Sequence, residues 1–211
     1  MAGPGRITIL QGHPDPRGGH FGHALAEAYA AGARAAGREV RTIEVTQLDF
    51  PLLRSPDDFY HGAAPEGVLA AQDAMRWADH LLIVYPLWYG HCPAVLHAFL
   101  EQTFRPGFAV AGQGGVTRRK RLLAGKTARI VVTMGMPALV YRWYYGAHSL
   151  KSLERNILRF SGFGPVRSTL VGLLGAGAAG GALDKDFPTL TGSAGRERWL
   201  GKLRALGAEG R

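Results

Sequence analysis

A single cysteine, Cys92, is the only thiol of the chain, so no disulfide can close within it. That usage fits a reducing cytoplasm. No uninterrupted apolar run approaches the roughly 20 residues that a membrane-spanning helix requires. The nearest, residues 81–100, is broken by Pro86, Gly90, His91 and Pro93. The amino terminus, MAGPGRITIL, offers one arginine and a four-residue apolar run, too little for a signal peptide. The expected location is therefore the cytoplasm. Acidic residues are in deficit, 16 against 25 lysines and arginines, for a formal charge of +9. The positives are scattered. Their one dense cluster, Arg118-Arg119-Lys120-Arg121, reads as a solvated loop. Neither interleaved aromatics nor a recognition motif accompanies it, so no nucleic-acid partner is expected. A positive surface does gather anions, phosphate-bearing cofactors among them. There is no Ser-His-Asp arrangement and no metal-ligand pattern. His91 and His97, six residues apart across Pro93, are not read as ligands, and Cys92 reads as a small buried hydrophobe.

What is present is a globular composition, 46% hydrophobic and 19% charged over 211 residues, enough for one domain with a substantial core. Short β-rich runs at Arg6–Leu10, Val40–Val45, Leu81–Tyr85, Ala128–Thr133 and Val166–Val171 alternate with helical spacing. Helices are expected over His20–Ala36, Pro65–Ala78, Pro93–Thr103, Ser149–Phe160 and Ala194–Leu206. In the second, Val68, Leu69, Ala71 and Met75 share a side; in the fourth, Leu150, Leu153, Ile157 and Phe160 do. Five strands alternating with helices predict an α/β domain over 1–211, a five-stranded parallel sheet with helices on both faces. Thr46–Ala64 and Gly107–Gly125 read as long irregular connections, which in compact α/β domains are often functional.

Three stretches carry chemical information. Leu81–Phe108 runs from an apolar strand through Pro86 into a turn with Trp88 and Tyr89, then restarts as a helix at Pro93. This sets flat rings at the carboxyl edge of the sheet, where open α/β sheets bind ligands. The loop after the first strand, Gly12–Gly22, feeds the first helix. There free N–H groups and the positive dipole end attract phosphate, Gly18 and Gly19 permit close approach, and His13, Arg17 and His20 add donors. It contains no Ser or Thr, so backbone amides and histidines must do the binding. Finally, Gly175–Gly180 matches G-x-G-x-x-G. No second strand follows to carry a ribose-binding acid, so it reads as a Gly/Ala-rich connection and not as a dinucleotide fingerprint.

Taken in order, ITILQGHPDP with HFGHALAEA, then VYPLWYGHCPAVLHAFLEQTFRPGFA, then VVTMGMPALVYRWYYGAH, these segments resemble the flavodoxin-like NAD(P)H:quinone oxidoreductases, the group that includes DT-diaphorase. The resemblance covers roughly residues 6–172. It implies a flavodoxin-like fold and a bound flavin, FAD or alternatively FMN. His13, Arg17, His20 and Phe21 would lie around its phosphate and ribityl chain. Pro86, Leu87, Trp88 and Tyr89 would flank the ring. Thr133, Met134, Gly135 and Met136 would run along the other edge, their backbone groups bonding the pyrimidine side. Tyr141 and His148 fall at or within one position of the family's tyrosine and histidine, which balance charge on the reduced flavin. Two departures stand out. Gly22 replaces the Asn or Ser that often follows the phosphate-loop aromatic, and Thr133-Met134-Gly135-Met136 replaces Thr-Thr-Gly-Gly, so that Met136 narrows the pocket.

The resemblance further implies NAD(P)H as electron donor, a quinone-like planar acceptor taking two electrons, and a homodimer that builds the pocket across its two-fold axis. Trp88, Tyr89, Tyr141 and Trp143 would wall the substrate slot. The competing readings are an electron-carrier flavodoxin or a flavin-binding ancillary subunit of a membrane transport system. The +9 charge and the Ala138–His148 loop count against the carrier.

Overall fold

The computed structural model describes residues 5–111, 120–174 and 193–211. Its centre is a five-stranded parallel sheet of β1 (Arg6–Gln11), β2 (Glu39–Glu44), β3 (His80–Pro86), β6 (Thr127–Thr133) and β7 (Val166–Val171), in the order β2-β1-β3-β6-β7. The two remaining strands, β4 (Val110–Ala111) and β5 (Lys120–Arg121), form a small antiparallel ribbon inside the stretch expected to be irregular.

Both faces of the sheet are buried because the central strands are apolar on both sides. In β3, Leu81, Ile83 and Tyr85 enter one core cluster while Leu82 and Val84 enter the other. The first face is covered by α3 (Glu66–Trp77), α4 (Ala94–Thr103) and α5 (His148–Ser152), through Met75, Phe99 and Leu150. The second is covered by α1 (Phe21–Ala35) and α6 (Ser193–Glu209), through Leu25, Tyr29 and Leu203. In α3 one expected core position is exchanged. Leu69 is exposed, whereas Gln72, four residues after Val68, is buried and donates to the Thr103 carbonyl at 2.9 Å. The irregular Thr46–Ala64 stretch holds a short helix, α2 (Pro56–Tyr60), capped by Ser55 accepting from the Asp58 amide.

One expected helix is wound differently. Ser149–Phe160 divides into α5 and a wider π-helical segment, Leu153–Arg159, and another π turn spans Val140–Tyr144. The wider winding places Leu158, five residues after Leu153, fully in the core, while Ile157 is only partly buried. An ordinary 3.6-residue period would have favoured Ile157 instead.

α1 and α6 approach to backbone contact. A Cβ on Gly32 would stand 1.9 Å from the Arg204 carbonyl oxygen, and one on Gly207 would stand 2.0 Å from that of Tyr29. By contrast, a Cβ on Gly201 meets nothing. Gly32→Ala is therefore expected to lower the unfolding free energy by about 1–3 kcal/mol through overpacking. Gly201→Ala should raise it by about 0.5–1 kcal/mol through helix propensity. Urea denaturation of the two variants checks both signs.

Candidate functional site

Parallel pairing puts the carboxyl ends of β1, β3 and β6 on one edge, and the three loops leaving that edge carry the residues singled out in the sequence. The Gly12 amide donates to the Val84 carbonyl at 2.8 Å, tying the first loop to β3. The Leu87 amide donates to the Thr133 carbonyl at 2.7 Å, tying the second loop to the third.

In the first loop the His13 amide donates to Gln11 Oε1 at 3.1 Å, and His13 Nδ1 accepts from the Asp15 amide at 3.1 Å. Neutral His13 thus carries its proton on Nε2. Its ring stacks on His20, with centroids 3.9 Å apart, and His23 lies at 5.1 Å. Burial, seconded by the two neighbouring imidazoles, lowers His13 to about 4, so it is uncharged at neutral pH. Asp15 receives Arg17 at 2.8 Å and His20 Nε2 at 2.9 Å. These contacts, Arg17 first, hold its carboxylate far below the ordinary range.

Gly18 and Gly19 then turn left-handed, with φ of 70° and 77°, and α1 starts with no side-chain cap and no acid in its first turn. Among the described residues, the N–H groups of Gly19, His20, Phe21 and Gly22 meet no acceptor. Successive free amides at a helix N-terminus, beside an arginine and two imidazoles, suit an anion.

The second loop is a tight turn. Trp88 and His91 exchange backbone hydrogen bonds of 2.9 and 2.8 Å around Tyr89 and Gly90, whose φ values are 47° and 78°. Such turns need left-handed backbone at both central positions. Glycine adopts it freely, whereas tyrosine pays for it in strain. The strained Tyr89 ring is fully exposed and Trp88 is half exposed.

In the third loop the Met134 amide donates to the Val171 carbonyl, and the Met134 and Met136 carbonyls accept from Leu174 and Leu173. Those groups already have partners. The N–H groups of Gly135 and Met136 meet no acceptor among the described residues and are available to a ligand.

Among the described residues no hydrogen bond joins the side chains of Tyr141 and His148. Tyr141 is buried, and its hydroxyl lies 2.9 Å from Ser149 Oγ, which donates to the Gly90 carbonyl at 2.6 Å. His148 is exposed, with Nε2 packed so closely under Gly146 that a Cβ there would sit at 2.7 Å. Ser149 was not foreseen. The chain between Tyr141 and Ser149 passes through Ala147 in left-handed conformation, at φ 48°. Trp143, Tyr144 and Tyr145 are exposed beside the loop. Cys92 is 9% exposed, and burial pushes its thiol up to about 11. The glycine run Gly175–Gly180 lies outside the described residues, as do Arg118 and Arg119.

Strand order β2-β1-β3-β6-β7, with the loops after β1 and β3 flanking the point where the order reverses, defines a doubly wound α/β protein of the flavodoxin type. The family model described as flavodoxin-like fold matches residues 5–186, and the chain belongs to that family. It is similar to an uncharacterized NAD(P)H oxidoreductase of Haemophilus influenzae, 26% identical over 72% of this chain and 76% of the relative. It is also similar to the glutathione-regulated potassium-efflux system ancillary protein KefG of Salmonella newport, 27% identical over 68% of this chain and 66% of the relative. Among solved structures, an NAD(P)H:quinone oxidoreductase from Methanothermobacter marburgensis superposes with a TM-score of 0.76. It is 21% identical and covers 98% of this chain and 96% of its own.

Two measurements test this geometry. Because the folded pKa of His13 is depressed to about 4, and that of His80 to about 3, the unfolded chain binds more protons between those values and roughly 6.5. Stability is expected to hold above about pH 6.5 and to fall as pH drops toward 4, less steeply in His13→Gln, as read by denaturant titration at each pH. Removing the Ser149 hydroxyl strands a buried tyrosine hydroxyl. Ser149→Ala should therefore cost about 1–3 kcal/mol, and Tyr141→Phe added to it should cost little more.

Proposed function

We propose that the chain is a flavin-dependent NAD(P)H oxidoreductase that reduces quinones or similar planar acceptors by two electrons. One observation carries this reading: the uncapped N-terminus of α1, with its free amides, opens on the same sheet edge as the exposed Trp88–Tyr89 turn and the free Gly135 and Met136 amides. One end of that edge suits a phosphate and the other a flat ring with hydrogen-bonding edges. The residues present therefore fit the riboflavin-phosphate portion common to FMN and FAD.

In this reading the amides of Gly19 to Gly22, with Arg17, His20 and the Nε2–H of neutral His13, hold the phosphate and ribityl chain near Phe21. Pro86, Leu87, Trp88 and Tyr89 flank the ring. Thr133, Met134, Gly135 and Met136 line its polar edge, with hydrogen bonds from the Gly135 and Met136 N–H groups. The bound flavin would supply hydride acceptance from a nicotinamide and two-electron delivery to the acceptor. Its protein shell would orient the donor and keep water from the exposed face. Tyr141 acts through Ser149 and Gly90, fixing the turn that carries Trp88 and Tyr89. In this reading His148, exposed at the start of α5, would help balance charge on the reduced ring.

The open edge and the exposed Leu139, Trp143 and Tyr144 favour a homodimer whose partner closes the pocket. The second reading, a flavin-binding ancillary subunit of a transport system, is favoured by the likeness to KefG. No described helix is long and apolar enough to cross a membrane.

Anaerobic addition of NADPH, and separately NADH, to the flavin-loaded protein is expected to bleach its visible flavin absorbance, and a quinone should restore it. Flavin that neither nucleotide reduces would favour the ancillary reading; a protein that takes up no flavin would end both. His20→Asp gives a sharper check, because it removes a donor and sets a carboxylate where the phosphate would lie. Flavin affinity is expected to fall by about tenfold or more, read by titration of the flavin-free apoprotein with FMN.

A further inference from the structure

The turn after β3 and the first turn of α4 bring three soft or borderline donors together beside the flavin edge. His91 and Cys92 close the Trp88–His91 turn, and His97 is the fourth residue of α4. One donor atom from each of the three lies within 4.8 Å of the others, and no other His, Cys, Asp or Glu group of the described residues converges in this way. Cys92 Sγ stands 3.4 Å from His91 Nδ1. That is close to the roughly 3.5 Å edge expected between sulfur and nitrogen ligands of a tetrahedral zinc ion with bonds of about 2.3 and 2.0 Å. The imidazoles of His91 and His97 meet edge to face, with centroids 5.0 Å apart and planes at 75°. His97 Nε2 lies 3.4 Å from Glu101 Oε1, one turn along α4. A carboxylate on one ring nitrogen, leaving the other to the metal, is the usual support of a metal-ligating histidine, fixing its tautomer and orientation.

We propose that His91, Cys92 and His97 bind one zinc ion, with Glu101 supporting His97 and water completing the tetrahedron, and that this ion pins the aromatic turn to α4. Two imidazoles and one thiolate form a donor set zinc favours over magnesium or calcium, which prefer oxygen. Half-exposed His97 and exposed His91 leave a path for the ion. Cys92 must give up its proton, and the dication supplies the positive charge that its buried setting lacks. The consequence is local: the turn held by Ser149 through the Gly90 carbonyl on one side would be held by the metal on the other. This inference does not depend on a bound flavin.

Cobalt(II) is the probe, because thiolate ligation gives a near-ultraviolet charge-transfer band and Cys92 is the only thiol in the chain. The neighbouring cluster of His13, His20 and His23 cannot produce that band. Titrating the full-length, chelator-treated protein is expected to raise the band to saturation at one equivalent. One equivalent of zinc should abolish it and raise the melting temperature. Cys92→Ser should lose the band with an unchanged circular dichroism spectrum. His97→Ala, at a half-exposed helix position, should weaken cobalt binding by well over tenfold, and Glu101→Gln by about tenfold. Absence of the band in the folded wild-type protein would overturn the site. A band that persists with equal affinity in both His91→Ala and His97→Ala would overturn it equally, by showing the thiol to act alone.

Discussion

The parallel hydrogen-bond ladder joining β1, β3 and β6 fixes where the chemistry of this chain is placed. Parallel strands must share a carboxyl edge, and their connections must return across a face of the sheet. Two helical layers therefore cover the sheet, and the loops Gly12–His20, Leu87–Cys92 and Met134–Leu139 open side by side. The register does this with few side chains. Gly12 bonds to Val84, and Leu87 to Thr133, so the loops are anchored by backbone atoms and their side chains remain free.

Charge is distributed unevenly along that edge. Asp15 is engaged by Arg17 and His20, His13 is kept neutral by burial, and no acid enters the first turn of α1. What remains is a run of uncommitted amides within a chain of net charge +9. Burying backbone amides without partners is costly, so such a run is stable only where water or an anion reaches it. The strain at Tyr89 points the same way. A glycine would relieve it, yet the turn presents a fully exposed aromatic ring. Local strain with no packing return is characteristic of a surface kept for a ligand or a partner.

Around the edge, the aromatic turn is held from behind. Tyr141, buried in the core, reaches the Gly90 carbonyl through Ser149, so the first-face core and the exposed turn form one mechanical unit. On the other face, the close backbone approaches of Gly32 to Arg204 and of Gly207 to Tyr29 let α6 lie against α1 and seal the second core layer. The proposed zinc site belongs to the same turn. His91 and Cys92 come from its closing end and His97 from the helix it feeds, and that short stretch of chain thus serves core, ligand edge and metal site together.

How much of this was legible in the sequence follows from the range of each interaction. The central strands β1, β3 and β6 announce themselves as apolar β-rich runs, because a strand buried on both faces has no polar alternation to hide it, while the edge strands β2 and β7 show instead as short β-rich runs with exposed polar positions. The parallel sheet, the glycine loop and the aromatic turn follow from order and turn chemistry, and so does the edge they share. Tertiary structure decided the rest. The π winding that buries Leu158 in place of Ile157 answers to the core and not to the 3.6-residue period. Gln72 replaces Leu69 on the buried side because the Thr103 carbonyl awaits its amide. Tyr141 meets Ser149, eight residues on, across a left-handed Ala147, a pairing set only when the chain folds back. His91, Cys92 and His97 converge because a tight turn folds back on the helix it precedes. Periodicity reports what one element buries; which donor meets which acceptor across a turn is set only when the chain closes on itself.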